Sequence, residues 1–513
     1  MRRTTLSLCL IATVACGRAT PPRDVNLLLI SIDTLRADHL GAYGNDEWGV
    51  SPSPTIDALA ARGVLVNDCY APRGQTHPSL ASMLTGKYPI THGLRENGHS
   101  LQEEHTGLFE HLAAAGYDTG VFAANLRVNH RVESWSSRGA RVSGNGYEGR
   151  AAIESRKESA FQSVWDSRVE RQALDFFDAA EPDRPFAMWV HFYDVHKPYN
   201  PPETHRRRFG FDPDIEGAIN DPGPNSGQAL ELQLKAFTLG HDDPTEAQLR
   251  RVRGLYDETL AATDDRVARL LERLEERGEL ENTIVVITAD HGEELYDHNR
   301  YFFHGASIYD GVVKIPFILA GPGLPEGHVV DGLSQNVDMA PTLLSMLELP
   351  ADAAHEGFDL SATLRGERDD SPRKSAYIEW QGLIYAVRHG DKKLIVNSEH
   401  THPRKTPWVY NDVPVHLGFE IDCVEAYDLG ADPLESMNLL EGAAPTSLHN
   451  APAPWNNTYR VLTDWIAHPD HRQPFGDRGN LSATELEEMQ NHLEQLGYLG
   501  SGGANQEPCE EDG

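Results

Sequence analysis

Three short apolar runs constrain this chain more than anything else in it: VNLLLISI at 25–32, PFAMWVHF at 185–192 and TIVVITA at 283–289. Each is a strand's length and is apolar with little alternation. That is the pattern of a strand covered on both faces, as in a parallel sheet between helices. Tyr117–Phe122 reads as another strand. Helical patterns lie between them, at Pro54–Gly63, Thr106–Gly116, Val164–Ala180 and Thr245–Arg277. In the last, Leu260, Val267, Leu270, Leu271 and Leu274 make one face and Gly278 the stop. Strand alternating with helix predicts an α/β fold with a doubly wound, mixed or parallel sheet sandwiched by helices. Its sites should collect where the strands end.

Two of the runs end on an aspartate. Val25–Ile32 delivers Asp33, and Thr283–Ala289 delivers Asp290-His291-Gly292-Glu293. A carboxylate beside an imidazole at a strand end is a donor pair that zinc or manganese prefers. The run Pro185–Phe192 leads into Tyr193-Asp194-Val195-His196-Lys197-Pro198-Tyr199, and a further histidine, His304, follows Phe303. Ala71–Pro89 reads as a loop and then a helix. Thr76 is expected as N-cap and Pro78 near the first helical position; Leu80, Met83 and Leu84 form an apolar face, and Thr85-Gly86 the stop. A hydroxyl at a helix N-terminus sits among free backbone N–H groups, a ready oxyanion site.

These motifs together resemble the sulfatase branch of the alkaline phosphatase superfamily, over about residues 25 to 500. Thr76-His77-Pro78-Ser79-Leu80 with Leu84-Thr85-Gly86-Lys87 resembles the family signature, in which Cys or Ser precedes x-Pro-Ser-Arg. The resemblance implies an alkaline-phosphatase-like fold with a small C-terminal antiparallel α+β subdomain. It implies a metal-dependent hydrolase of phosphate or sulfate esters. Thr76 takes the nucleophile position, with Asp33, Thr76, Asp290 and His291 as metal ligands and His196 and His304 acting on the transferred group. Asp194 is expected to orient its loop. A divalent ion there would lower the pKa of the Thr76 hydroxyl. The departures are informative. Thr76 cannot be oxidised to formylglycine, so that cofactor is excluded. Leu80 replaces the supporting Arg, Thr34 a second Asp, and Asn125 stands where a Lys segment binds sulfate. His291 replaces Asn, which favours zinc or manganese, with calcium and magnesium still compatible. Phosphate is placed slightly ahead of sulfate. The alternatives are a phospho-headgroup transferase acting on a glycan or lipid, and a non-catalytic binding protein of the same fold.

Residues 1–16 read as a signal peptide: Arg2 and Arg3 precede an apolar stretch, Leu6–Ala15. Thr13-Val14-Ala15-Cys16 resembles a bacterial lipobox, so an exported, periplasmic or cell-envelope lipoprotein is expected, with membrane attachment through a lipid on Cys16. Cys69, Cys423 and Cys509 have no spacing of a metal site or disulfide framework. The net charge of −33 argues against nucleic acid as a partner; a small-molecule, glycan or lipid ester is the expected substrate. Oligomeric state is not addressed by the sequence. The expected domains are 24–356, catalytic, and 357–500, a C-terminal subdomain of short strands (Ser375–Trp380, Leu383–Arg388, Lys392–Asn397, Glu425–Leu429) with a late helix, Ala483–Leu496. An acidic tail follows at 501–513. The Pro- and Gly-rich segment Pro201–Pro244 is a candidate substrate lid.

Overall fold

A computed structural model describes residues 25–97, 100–124, 135–145, 161–180, 184–211, 234, 243–298, 304–305, 307–380, 384–397, 408–410, 413–415, 424–468 and 471. The expected signal peptide and Cys16, Asn125, most of Pro201–Pro244, the Ala483–Leu496 helix and the tail lie outside these residues. No helix among the described residues is long and apolar enough to cross a membrane.

The apolar runs form the centre of a nine-stranded sheet. Its strands are β1 (Asn26–Ile32), β2 (Val64–Tyr70), β3 (Asp118–Ala123), β4 (Val142–Asn145), β5 (Phe186–Phe192), β6 (Thr283–Ala289), β7 (Lys314–Ile315), β8 (Phe317–Ala320) and β9 (His328–Gln335). The order is β4-β3-β5-β1-β6-β8-β2-β7, with β9 on β2. All residues of β1, β5 and β6 are buried, the outcome their composition predicts. β1 pairs in parallel with both neighbours, and Ile32 is opposite Phe192 on one side and Ala289 on the other. The three central strands therefore end level. The sheet is mixed, because β8 runs antiparallel to β6 and β2.

Helices cover both faces. Phe186 of β5 meets Phe176 and Phe177 of the helix Phe161–Ala179. Trp189, three positions on and so on the other face, approaches Phe109 of the helix Leu108–Ala114. The long helix Glu246–Glu276 packs on the first side. It starts with the capping box Thr245/Gln248 and ends before Gly278, whose φ of 68° needs no side chain.

A second sheet is antiparallel: β10 (Ser375–Trp380), β11 (Ile384–His389), β12 (Lys392–Asn397) and, after a short hairpin of β13 (Trp408–Tyr410) and β14 (Val413–Val415), β15 (Val424–Asp428). The helix Trp455–Ile466 covers it, with Trp465 stacked on Tyr377 at 4.8 Å. Buried and partly buried ion pairs join this sheet to the rest of the fold: Glu379 with Arg73 and Arg95, Arg388 with Asp68, and Lys393 with Asp310.

Candidate active site

Because β1, β5 and β6 end level, the residues just past their ends are neighbours. Asp33 and Asp290 are both fully buried there. One ligand atom each from Asp33, Asp290 and His291 lie within 4.8 Å of one another. Asp290 is held by its first oxygen, which accepts from Thr34 N at 3.2 Å and His291 N at 2.9 Å. Its second oxygen faces His291 Nε2 at 3.4 Å. His291 Nδ1 donates to its neighbour's carbonyl, Gly292 O, at 2.9 Å, so the neutral ring carries its lone pair on Nε2.

Thr76 is buried in the first turn of the helix Thr76–Thr85, and its Oγ1 is 3.4 Å from that same Nε2. The helix differs from expectation in three ways. The N-cap is Gln75, in an extended conformation, and no side chain caps the helix. The Thr76 hydroxyl is therefore not spent on capping and turns toward His291. The helix end also offers fewer open donors than expected. His77 N donates to Asn97 Oδ1 at 2.9 Å, Pro78 has no N–H, and Ser79 N donates to Gln75 O at 3.1 Å. Finally, all ten helix residues are buried, not one face of them; Leu80 lies in the core, where an arginine would have to be paired.

The two remaining histidines join the cluster. The His304 ring centre is 4.4 Å from that of His291, and the His196 ring 5.0 Å from His304. His304 Nδ1 donates to Glu293 Oε1 at 3.0 Å, and His196 Nδ1 to Lys197 O at 2.6 Å. The structure thus brings all six expected residues, Asp33, Thr76, His196, Asp290, His291 and His304, into one buried chain of contacts. The Asp194 loop is held by Asp166, whose carboxylate accepts from Tyr193 N and Asp194 N at 2.8 and 2.9 Å.

Sequence reasoning gave no role to three groups that line the same site. His191, on β5 and opposite Ser31, donates or accepts with Ser31 Oγ at 2.9 Å and lies 4.0 Å from Asp33. Glu293 orients His304. Lys197 is buried near enough to Glu293 to oppose its shift. A histidine inside an apolar strand was the available signal for His191; the other two stood unused beside named motif residues.

The electrostatics would suit a bound cation. Both Asp33 carboxylate oxygens and Asp290 Oδ2 are buried with no hydrogen-bond partner among the described residues. Burial, then the carboxylates of Asp290 and Glu293, push the Asp33 carboxyl well above its ordinary range. Burial also raises Glu293 to about 7 and lowers His191 to about 4. His196 and His304 are held well below the ordinary histidine value, by burial and then by each one's neighbouring imidazole. Two unsatisfied carboxylates and a lone-pair nitrogen converging in a dry site fit a divalent ion. Thr34 adds strain at the same spot: its φ is +56°, rare for a β-branched residue.

Fold and site together define an ester hydrolase of the α/β class. Residues 25–349 match the Sulfatase family, and residues 298–451 match the family of N-sulphoglucosamine sulphohydrolase C-terminal regions. The chain belongs to the sulfatase family. It is 24% identical to an N-acetylglucosamine-6-O-sulfatase of Bacteroides thetaiotaomicron, over 85% of this chain and 87% of that protein. It is 27% identical to human arylsulfatase A, with the same coverage, 85% and 87%. Among solved structures, BT4656 in complex with D-glucosamine-2-N,6-O-disulfate superposes with a TM-score of 0.65 at 20% identity, covering 88% of this chain and 100% of that one. The phosphonate monoester hydrolase of Agrobacterium radiobacter gives 0.62 at 20% identity, covering 86% and 94%. The family generally uses a metal ion, which the Asp33–Asp290–His291 group suits.

Proposed function

We propose that this chain hydrolyses phosphate or sulfate esters with Thr76 as nucleophile, without formylglycine, and with phosphate slightly ahead of sulfate. The observation that carries the reading is the uncapped Thr76 hydroxyl, 3.4 Å from His291 Nε2 beside two unsatisfied carboxylates. Asp33, Asp290, His291 and Thr76 would hold a divalent ion, zinc or manganese by donor type. Such an ion supplies charge neutralisation and a more acidic Thr76 hydroxyl. The Thr76 oxygen forms the new bond to phosphorus or sulfur, the ester's alcohol leaves, and water later releases the enzyme ester. In this reading His304 protonates the leaving oxygen from Nε2. An anionic ester beside it offsets the burial that holds it neutral, and Glu293 on Nδ1 favours the charged ring. His196 binds the oxygens of the transferred group.

Phosphate is favoured because a core leucine, Leu80, stands where the sulfatase signature has its arginine, and because imidazoles surround the transferred group. The names of the relatives keep sulfate esters, including those of sugars, as the other arm of the test. An export route with a lipid on Cys16 is the matching expectation for its location.

The test is kcat/KM of the signal-free protein on aryl phosphate, aryl phosphodiester and aryl sulfate, with zinc, manganese or calcium restored in turn. Faster phosphate or diester turnover with zinc or manganese supports the reading; a clear sulfate preference overturns the ordering. Thr76→Ala should lower kcat roughly 10³-fold or more with an unchanged circular dichroism spectrum. Near wild-type turnover in that variant would remove Thr76 from the reaction.

A further inference from the structure

The helix that begins at Thr76 ends at Gly86, roughly 15 Å away at 1.5 Å per residue. Around that far end lies a second group of metal-ligating side chains. His111 comes from the helix Leu108–Ala114, and Asp352 and His355 from the loop after the helix Met339–Met346. One ligand atom from each lies within 4.8 Å of the others. His111 Nε2 is 3.5 Å from Asp352 Oδ2, close to the ~3.4 Å that separates two ligands on a tetrahedral zinc with ~2.0–2.1 Å bonds.

Two independent features point to a ligand here. His111 Nε2 and both ring nitrogens of His355 are hidden from solvent with no hydrogen-bond partner among the described residues. An imidazole with neither nitrogen satisfied is costly unless something else binds it. Asp352 is also fixed in advance. Ala354 N donates to its Oδ1 at 2.8 Å, which leaves Oδ2 turned to His111.

We propose that His111, Asp352 and His355 bind a first-row divalent cation of the zinc class, separate from the Asp33–Asp290–His291 group, and that this ion clamps the end of the Thr76 helix. Two imidazoles and a carboxylate are the donor set such ions take, with room for water as a fourth ligand. The clamp follows from what His355 touches. A Cβ on Gly86 would come within 2.8 Å of its ring. Glu356 N and Gly357 N donate to Gly86 O at 2.8 and 3.1 Å. An ion on His355 therefore ties the helix Leu108–Ala114, the 352–357 loop and the end of the Thr76 helix together. The Lys87 ammonium is close enough to act on both Asp352 and His355. It opposes a second cation, so affinity should be lower than for the same ligands alone.

The test uses the full chain, stripped with a chelator and dialysed against zinc. His111→Ala/His355→Ala should carry one zinc fewer than wild type and lose part of the zinc-dependent rise in Tm. An Asp33→Asn/Asp290→Asn variant should still take up one cobalt(II) with the intense visible absorption of a four-coordinate site. Equal zinc counts in wild type and the double-alanine variant would overturn the proposal, as would a cobalt spectrum lost with Asp33 and Asp290. If the double-alanine variant does not fold, Asp352→Asn decides. It keeps the acceptor for Ala354 N but loses the charge, and should weaken zinc binding about tenfold. Unchanged affinity in that variant overturns the site.

Discussion

Asp33 pays for its position in stability: a fully buried carboxylate with no donor to either oxygen among the described residues and three other carboxylates, Asp290, Glu293 and Asp166, acting on it. Asp33→Asn removes that repulsion. In chelator, the variant should be more stable than wild type by about 1–2 kcal/mol; with metal restored, the order should reverse, because wild type gains the ion and the variant does not. Thermal melts with and without metal check both halves. His298 gives a pH-dependent counterpart. Burial alone would lower its pKa, but Glu294 at 3.2 Å outweighs burial and raises it to about 9. A raised histidine contributes stability that is complete below its unfolded value near 6.5 and lost as pH rises through about 9. The stability difference between wild type and His298→Gln should therefore fall from about 1–2 kcal/mol at pH 6 toward zero at pH 10, as read by denaturant unfolding. At this scale the sequence named Asp33, Thr76, His196, Asp290, His291 and His304 because short motifs carry them. Arg73 was opaque because its partner, Glu379, lies 306 residues away, and His191 because its role depends on strand register.

Among the elements, the fully buried strands were the legible ones. β6 falls on its expected bounds, Thr283–Ala289, and β10 on Ser375–Trp380. β2 and β9 were not anticipated. VLVNDCY mixes polar residues into its run and HVVDGLSQ carries a glycine and exposed positions; both strands owe their state to pairing with each other. The short helix Asp310–Val313 leads into β7 and β8, which each run antiparallel to β2 and are too short to carry a pattern of their own. The element with the largest leverage on the site is β10. Glu379 N donates to Pro72 O at 3.0 Å, and its carboxylate lies between Arg73 and Arg95. The loop that leads into Thr76 is thus held by the second sheet. Glu379→Ala leaves two guanidiniums without their carboxylate and should cost about 3–5 kcal/mol. If the loop is shifted as well, kcat at saturating metal should fall; a variant as stable as wild type would show that Glu379 is not a fastening point.

Across the whole molecule, the two sheets are joined by charge that neither can leave unpaired. Lys393 is fully buried and pairs with Asp310 and Glu435; Arg388 pairs with Asp68, and the buried Arg373 with Asp338. A chain cut after residue 356 would keep Asp68, Asp310 and Asp338 and lose every cation named here. Such a chain should fail to form a cooperative fold, with weak near-ultraviolet dichroism and dye binding; a sharp two-state melt would show that the 24–356 region is self-sufficient. The second, antiparallel sheet was legible from its run of short strands, Ser375–Trp380 onward. Its ion pairing with the rest of the chain was not, because that rests on single charges far apart in the sequence.

The level ends of β1, β5 and β6 have one more consequence. Asp33, Asp290 and the segment leading to His196 begin where pairing stops, so the backbone that holds them is specified entirely upstream. The strands before Thr34 and His291 keep register with one another whatever residues follow them. The sheet is a socket and these residues are the interchangeable pins: reagents can be swapped at its rim while the platform that aligns them is left as it was.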